Sequence, residues 1–302
     1  MDVKGLLDLG SLTLQKAGVE NPRLEAEVLL SDILDCDRIY FYAHPRELVE
    51  PTHREAYLKN IQRRSQHEPV AYILEQKEFM GMSFKVNSDV LIPRPDTVPM
   101  VEYLIGRLKT DYPKGAKVLD LCTGSGVIGI SLKKYYALGE ITLGDISKDA
   151  LTVARINGKR LVDGDIALYQ GDLFEAIPSD EKYDVIVSNP PYIKSEDMEV
   201  LPPDILDFEP HLALNGGDSG LDFYERIIAD ARNYLRIPGI LALEIGYDQE
   251  TLVFDLLIKH DYDSIEKHHD LGGHVRCLVG ELKKREHNPS LFINTDDERR
   301  IL

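Results

Sequence analysis

Asn189-Pro190-Pro191-Tyr192 is the segment of this 302-residue chain whose residue types define a chemistry most narrowly. It follows Asp184-Val185-Ile186-Val187-Ser188, which reads as a buried strand. The Asn189 side-chain oxygen and the Pro190 carbonyl are two acceptors on adjacent residues. An NH2 group conjugated to a carbonyl or a ring has two donors and a delocalised, poorly nucleophilic lone pair. Accepting both hydrogens draws that nitrogen toward tetrahedral geometry and aims its lone pair at an incoming methyl carbon, so positioning and desolvation would carry the rate. No strong base is needed, because the alkylated nitrogen is acidic enough to lose its proton to water. The prolines stiffen the turn, and Tyr192 offers an aromatic face for a flat group. The bland alternative is that Asn-Pro-Pro only makes a turn.

A second segment, from Asp120 through Cys122-Thr123-Gly124-Ser125-Gly126 to Gly129, lies where a strand turns into a helix. Gly124-x-Gly126-x-x-Gly129 matches the dinucleotide fingerprint, and Asp145 follows at the end of the next strand, where a ribose-binding acid belongs. Alone, this pattern would suit NAD. The wider pattern resembles motif I of class I methyltransferases, with Asp120 ahead of the glycines and a later acid, Asp172 before Leu173, near the adenine. That resemblance implies S-adenosylmethionine, whose sulfonium carries no pyrophosphate and is held through hydroxyl and amino donors, for which carboxylates are the matching acceptors. The implied cofactor residues are Asp120, Cys122, Thr123, Gly124, Ser125, Gly126, Asp145, Asp172, Leu173 and Asn189.

The elements that must position these groups fall into two styles. Through residue 75 the apolar positions, such as Leu6, Leu7, Leu14 and then Ala26, Leu29, Leu30, Ile33, recur at helical spacing, and Asn21-Pro22 starts a second helix. A third is expected from near Thr52 toward Gln66. A hairpin around Gly81 follows, then a proline-rich stretch, Ile92 to Asp96, and a helix over Val98–Leu108. Beyond it strands and helices alternate. Strands are expected at Lys117–Cys122, Glu140–Asp145, Ala167–Asp172, Tyr183–Asn189 and Gly239–Gly246, with two more near Ser264–His268 and His274–Leu282. The fold class is therefore α/β: a Rossmann-like sheet of seven strands, mostly parallel with an antiparallel edge strand, preceded by a helical bundle. The expected divisions are 1–75 for a helical substrate-docking domain, 76–92 for a connector, 93–283 for the methyltransferase domain and 284–302 for a polar tail.

Composition narrows the functional classes. Acidic residues outnumber basic ones by 52 to 35, a net charge of −17, which disfavours stable binding to bare nucleic acid. No apolar run approaches the ~18 residues of a membrane span, and the start lacks a secretory signal, so a cytoplasmic protein is expected. Cys36, Cys122 and Cys277 have no metal or disulfide spacing, and the histidines have no metal-like pattern, so no metal is expected.

Taken together with Glu68-Pro69-Val70-Ala71-Tyr72-Ile73, Val90-Leu91-Ile92-Pro93-Arg94-Pro95-Asp96-Thr97, Phe208-Glu209-Pro210, the block from Gly216 to Tyr224 and Asp270-Leu271-Gly272-Gly273-His274-Val275-Arg276, the chain resembles the protein-(glutamine-N5) methyltransferases of peptide-chain release factors. The resemblance covers nearly the whole chain. It implies a release factor as protein substrate, with Asn189, Pro190, Pro191 and Tyr192 binding the glutamine amide of a Gly-Gly-Gln motif, and Asn189, Pro190 and Tyr192 as catalytic residues. Asp96 stands where the family usually has glutamate, Val98 where another acid is frequent and Cys122 where glycine is common. The Pro93–Asp96 loop is either a cofactor lid or a structural clasp, and Gly216–Gly220 either a flexible loop or a substrate-facing lid. Competing substrates with the same planar NH2 are a ribosomal-protein glutamine and an exocyclic base amine.

Overall fold

The computed structural model describes residues 1–270 and 272–283. Leu271 and the expected polar tail at 284–302 lie outside the described residues.

The chain opens with α1 (Val3–Lys16), α2 (Pro22–Leu34), α3 (Arg38–Ala43), α4 (Pro51–Ser65) and α5 (Val70–Ile73). Asp2 caps α1 by accepting from the Gly5 N–H, and Pro22 and Pro51 occupy first-turn positions, where a missing N–H costs nothing. The periodic leucines close on one another: Leu6, Leu7, Leu14, Leu29 and Leu30 are buried with Phe41, Tyr57 and Ile61. Two short helices, α3 and α5, were not expected, because six and four residues are too few to show a helical period. One carboxylate, Glu27, is buried at 1% exposure among these helices and accepts from Arg23, Arg38 and Tyr42.

The hairpin is β1 (Gln76–Phe79) and β2 (Met82–Lys85), with Phe79 opposite Met82. Its two turn residues, Met80 and Gly81, have φ of +48° and +70°, the doubly left-handed turn that matches strand twist.

After a one-turn 3-10 helix at Pro95–Thr97 come α6 (Val98–Asp111), β3 (Lys117–Leu121), α7 (Val127–Tyr135), β4 (Glu140–Asp145), α8 (Lys148–Leu161), β5 (Ala167–Gln170) and β6 (Tyr183–Ser188). The short α9 (Pro203–Leu206) leads to α10 (Asp222–Ala231), β7 (Leu235–Glu244), α11 (Glu250–Lys259), β8 (Tyr262–His269) and β9 (Val275–Leu282). The seven strands are ordered β5-β4-β3-β6-β7-β9-β8. β3 through β7 pair in parallel, and β9 runs antiparallel to both of its neighbours. The expected α/β architecture is present, with the antiparallel strand one place in from the edge. β3 and β6 are buried on both faces, which explains the apolar runs Val118-Leu119 and Val185-Ile186-Val187 within them. One layer of core joins α6, α7 and the hairpin to the sheet; another joins α10 and α11 to its opposite face.

Buried Asn157 of α8 ties the hairpin to the glycine loop. Its Oδ1 accepts from the Lys85 N–H at 2.7 Å, and its Nδ2 donates to the carbonyls of Lys85 and Ser125, each at 2.9 Å.

Candidate active site

The neighbouring placement of β3 and β6 makes a topological switch point, and a cleft opens at their carboxyl ends. Leaving β3, the chain turns through Cys122, at φ +57°, and Gly124, at φ +54°. A side chain on Gly124 would meet nothing within 4 Å, because that side of the loop is the cleft itself. Gly129 serves packing instead: a Cβ there would lie 2.4 Å from Leu143 Cδ2, so only glycine lets α7 sit this close to β4.

Two carboxylates lie under and beside this loop. Asp120 is fully buried; its Oδ2 accepts from Thr123 Oγ1 at 2.6 Å and from the Gly129 N–H at 2.9 Å. Its Oδ1 has no hydrogen-bond partner among the described residues. Burial pushes this carboxyl up to about 7, the charge of Asp145 adds to the rise, and the two hydrogen bonds oppose it. Asp145 ends β4, where Oδ2 accepts from the Gly124 N–H at 2.8 Å and Oδ1 from the Ser147 N–H at 2.9 Å. Burial raises its pKa too, against those backbone bonds. Among the described residues neither acid has an ion-pair partner.

The structure brings most of the expected residues to one cleft and leaves four outside its lining. Cys122, Thr123, Gly124, Ser125, Asp145, Asp172, Leu173, Asn189 and Pro191 line it. Asp120 lies beneath the loop, Gly126 starts α7, Pro190 is buried behind its neighbours, and Tyr192 is partly buried with its ring against the core between α10 and the sheet. Asp172 carries its own cation, Arg226 of α10, at 2.7 Å. The Cys122 thiol is pushed above its ordinary pKa by burial and by Asp145, so it is a packing group rather than a nucleophile.

Residues far away in sequence complete the site. Pro93, Arg94 and Thr97, with Asp89, Val90 and Leu91, line the same cleft as the glycine loop. This segment is both wall and clasp, because buried Glu209 binds the Arg94 guanidinium and accepts from the Ile92 N–H at 3.2 Å. Behind Tyr192, Gln249 Nε2 donates to the carbonyls of Tyr192 at 3.0 Å and Gly220 at 3.1 Å, while its Oε1 accepts from the Gly246 N–H. The Gly216–Gly220 loop is bonded to this segment rather than free: the Gly216 N–H donates to the Ile193 carbonyl at 2.8 Å. A Cβ on Gly216 would lie 2.7 Å from Tyr192 Cα. In the sequence the Phe208-Glu209-Pro210 block carries no expected role, Gly216–Gly220 is open between a flexible loop and a substrate-facing lid, and Asn157, Arg226, Glu244 and Gln249 carry no local signal because their residue types are usually solvated.

Residues 5–74 match the family described as the PrmC N-terminal domain, and residues 100–202 the methyltransferase small domain. The release factor glutamine methyltransferase of Clostridium acetobutylicum is 38% identical over 281 residues, which cover 92% of this chain and 98% of that protein. The chain belongs to the release factor glutamine methyltransferase family. A second member, from Leptospira interrogans, is 41% identical over 88% of this chain and 93% of its own length. A methyltransferase from Pyrococcus furiosus, solved by crystallography, superposes with a TM-score of 0.51 at 19% identity, covering 78% of this chain and all of that one, which shows the shared fold. Membership makes this chain a methyltransferase that uses an S-adenosylmethionine-type methyl donor. No helix among the described residues is long and apolar enough to cross a membrane.

Proposed function

We propose that this chain transfers a methyl group from S-adenosylmethionine to the side-chain amide nitrogen of the glutamine in the Gly-Gly-Gln motif of peptide-chain release factors. The observation that carries the reading is the turn at the end of β6, which brings Asn189 and Pro191 into the same cleft as the glycine loop, in a chain that aligns with nearly the full length of relatives bearing that activity in their names.

The cleft fits the cofactor. Two carboxylates without an ion-pair partner among the described residues, Asp120 buried and Asp145 part-buried, favour a ligand with positive charge and donor groups. Asp145 would accept from the ribose hydroxyls, and Asp172 with Leu173 would border the adenine. The orphaned Asp120 Oδ1 lies under the loop that would hold the amino-acid end. When bound, S-adenosylmethionine supplies an electrophilic methyl carbon beside a sulfonium charge that disappears as the methyl group leaves.

The chain's own residues do the rest. Asn189 Oδ1 and the Pro190 carbonyl accept the two amide hydrogens of the substrate and hold its nitrogen with the lone pair directed into the cleft. Pro190 and Pro191 keep this turn rigid, and Tyr192, its ring packed against the core outside the cleft lining, anchors the far end of the turn. The Gln249 bonds and the close approach of Gly216 fix the turn from behind. The proton leaves to water once the nitrogen has been alkylated.

The substrate-docking role falls to the N-terminal helical region, which exposes Ile39 and Tyr42 of α3 and Leu48 of the loop after it to solvent. Nine basic and 13 acidic residues over 1–75 leave −13 of the net charge on the remaining chain, which suits a basic partner surface. The test is methyl transfer to an intact release factor, to a free Gly-Gly-Gln peptide and to duplex DNA, over a salt series. The intact factor is expected to react far better than the peptide, with an advantage that falls as salt rises. Equal efficiency on peptide and factor refutes docking, and methylation of DNA alone transfers the assignment to a base amine.

A further inference from the structure

We infer that Glu244 is a positioning residue that decides which end of the Asn189 side-chain amide faces the substrate. The inference rests on the reading of Asn189 as the substrate's acceptor and adds what makes it one. In the parallel pairing of β6 with β7, Ser188 stands opposite Leu243, which brings Asn189 beside Glu244 at the next step. Glu244 is 2% exposed and forms no ion pair among the described residues. Thr97 Oγ1 donates to its Oε2 at 2.6 Å, and the neighbouring Asn189 side chain favours its charged form.

An ionised carboxylate can only accept, so it takes the Nδ2 of Asn189. Oδ1 is thereby left for the substrate. The two ends of an asparagine amide are nearly the same size, and only a partner of fixed polarity tells them apart. Turned the other way, Asn189 would aim an NH2 at the NH2 of the substrate, and the two-acceptor arrangement would be lost.

The surroundings give this contact a pH dependence. Asp96, from the turn beside Thr97, raises the Glu244 pKa, and Arg276 of β9 lowers it. Arg276 is shared with Asp270 at 2.9 Å and Asp96 at 3.5 Å. Tyr192 after β6, Tyr224 of α10 and Cys277 of β9 also face it, and burial raises the pKa of each, so they stay neutral. Burial of Glu244 itself is the largest influence and pushes its carboxyl up to about 7. Once protonated it carries an O–H donor as well as an acceptor oxygen, so its partner no longer has a fixed polarity and the preference for Nδ2 weakens. Turnover is therefore highest above that pKa and falls as pH drops through it.

The experiment compares wild type, Glu244→Gln and Glu244→Ala in single-turnover methylation of an intact release factor between about pH 5.5 and 9. The Asn189 side-chain NH2 resonances of asparagine-labelled protein are followed by NMR over the same range. In wild type, rate and resonances should change with one midpoint. Glu244→Gln should keep a rate between those of wild type and Glu244→Ala and lose the acid limb, with Asn189 resonances that no longer titrate. Glu244→Ala should react roughly 100-fold more slowly, as expected for a misplaced reacting group, with affinity for S-adenosylhomocysteine within a few-fold of wild type. An acid limb that survives in Glu244→Gln, a wild-type rate in Glu244→Ala, or Asn189 resonances indifferent to pH in wild type would overturn the inference. Absence of methylation by wild type at every pH would instead overturn the functional reading, and the NMR arm would still decide the contact.

Discussion

Replacing Asp145 with alanine separates binding from folding. In the folded chain this carboxylate already accepts from the Gly124 and Ser147 N–H groups, and the proposed ribose contacts would use its remaining lone pairs. Each charge-assisted bond to a ribose hydroxyl is worth about 1.5–3 kcal/mol, so losing two costs about 3–6 kcal/mol. That is roughly a 10²–10⁴-fold rise in Kd for S-adenosylhomocysteine. The effect on the free protein is smaller because two contributions oppose each other. Alanine leaves two backbone donors unpaired at about 1 kcal/mol each, but it also removes a carboxylate whose burial raised its pKa and made its charge costly. The unliganded Tm should therefore move by only a few degrees, while the Tm rise produced by ligand in wild type disappears. Calorimetric titration and thermal unfolding with and without the thioether measure both quantities. Unchanged affinity in a folded Asp145→Ala variant would remove this residue from the site. Tighter binding of NAD than of S-adenosylhomocysteine by wild type would refute the cofactor assignment itself.

Asn189→Ala should slow single-turnover transfer by about 100–1000-fold, the usual loss for one preorganised hydrogen bond, and leave thioether binding less affected; near-wild-type transfer contradicts its role. Gly216→Ala forces a Cβ against Tyr192 Cα and the Pro191 carbonyl, so kcat should fall while thioether affinity holds, and unchanged kcat would show that the turn tolerates displacement. Asp120→Asn should stabilise the unliganded protein more at pH 8 than at pH 5. The folded-state pKa of Asp120 is raised to about 7, so its ionisation penalty grows as pH rises from the unfolded value near 4 through that point, and asparagine removes it. Calorimetric Tm values at the two pH values check the ordering, and the reverse ordering refutes the burial argument.

The parts of the site legible in the sequence are those whose function is local. A strand that ends in glycines, or in Asn-Pro-Pro-Tyr, carries its own turn chemistry, and the apolar strands β3 and β6 announce the sheet that aligns them. The residues that escaped act across long separations. Glu209 reaches Arg94 and the Ile92 N–H over more than a hundred positions, and Thr97 meets Glu244 across 147. Asn157 meets Lys85 across 72. Glutamate, asparagine and glutamine are usually solvated, so no local signal separates a buried clamp from a surface residue. The extension of β7 back to Leu235, past Pro238, was equally hidden, because residues 236–238 are exposed and read as a turn. The short helices α3 and α5 show the same limit from the other side, since their packing is set by tertiary contact rather than by period.

The central claim is that the acceptor pair on Asn189 and Pro190 presents a protein glutamine to the methyl donor. Mass spectrometry of a release factor incubated with this protein and S-adenosylmethionine tests it most directly. The account predicts a mass increment of one CH2 on the glutamine of the Gly-Gly-Gln peptide, absent when Asn189→Ala replaces wild type. An unmodified glutamine in the presence of folded, cofactor-bound protein, or an increment on any other residue, would contradict it.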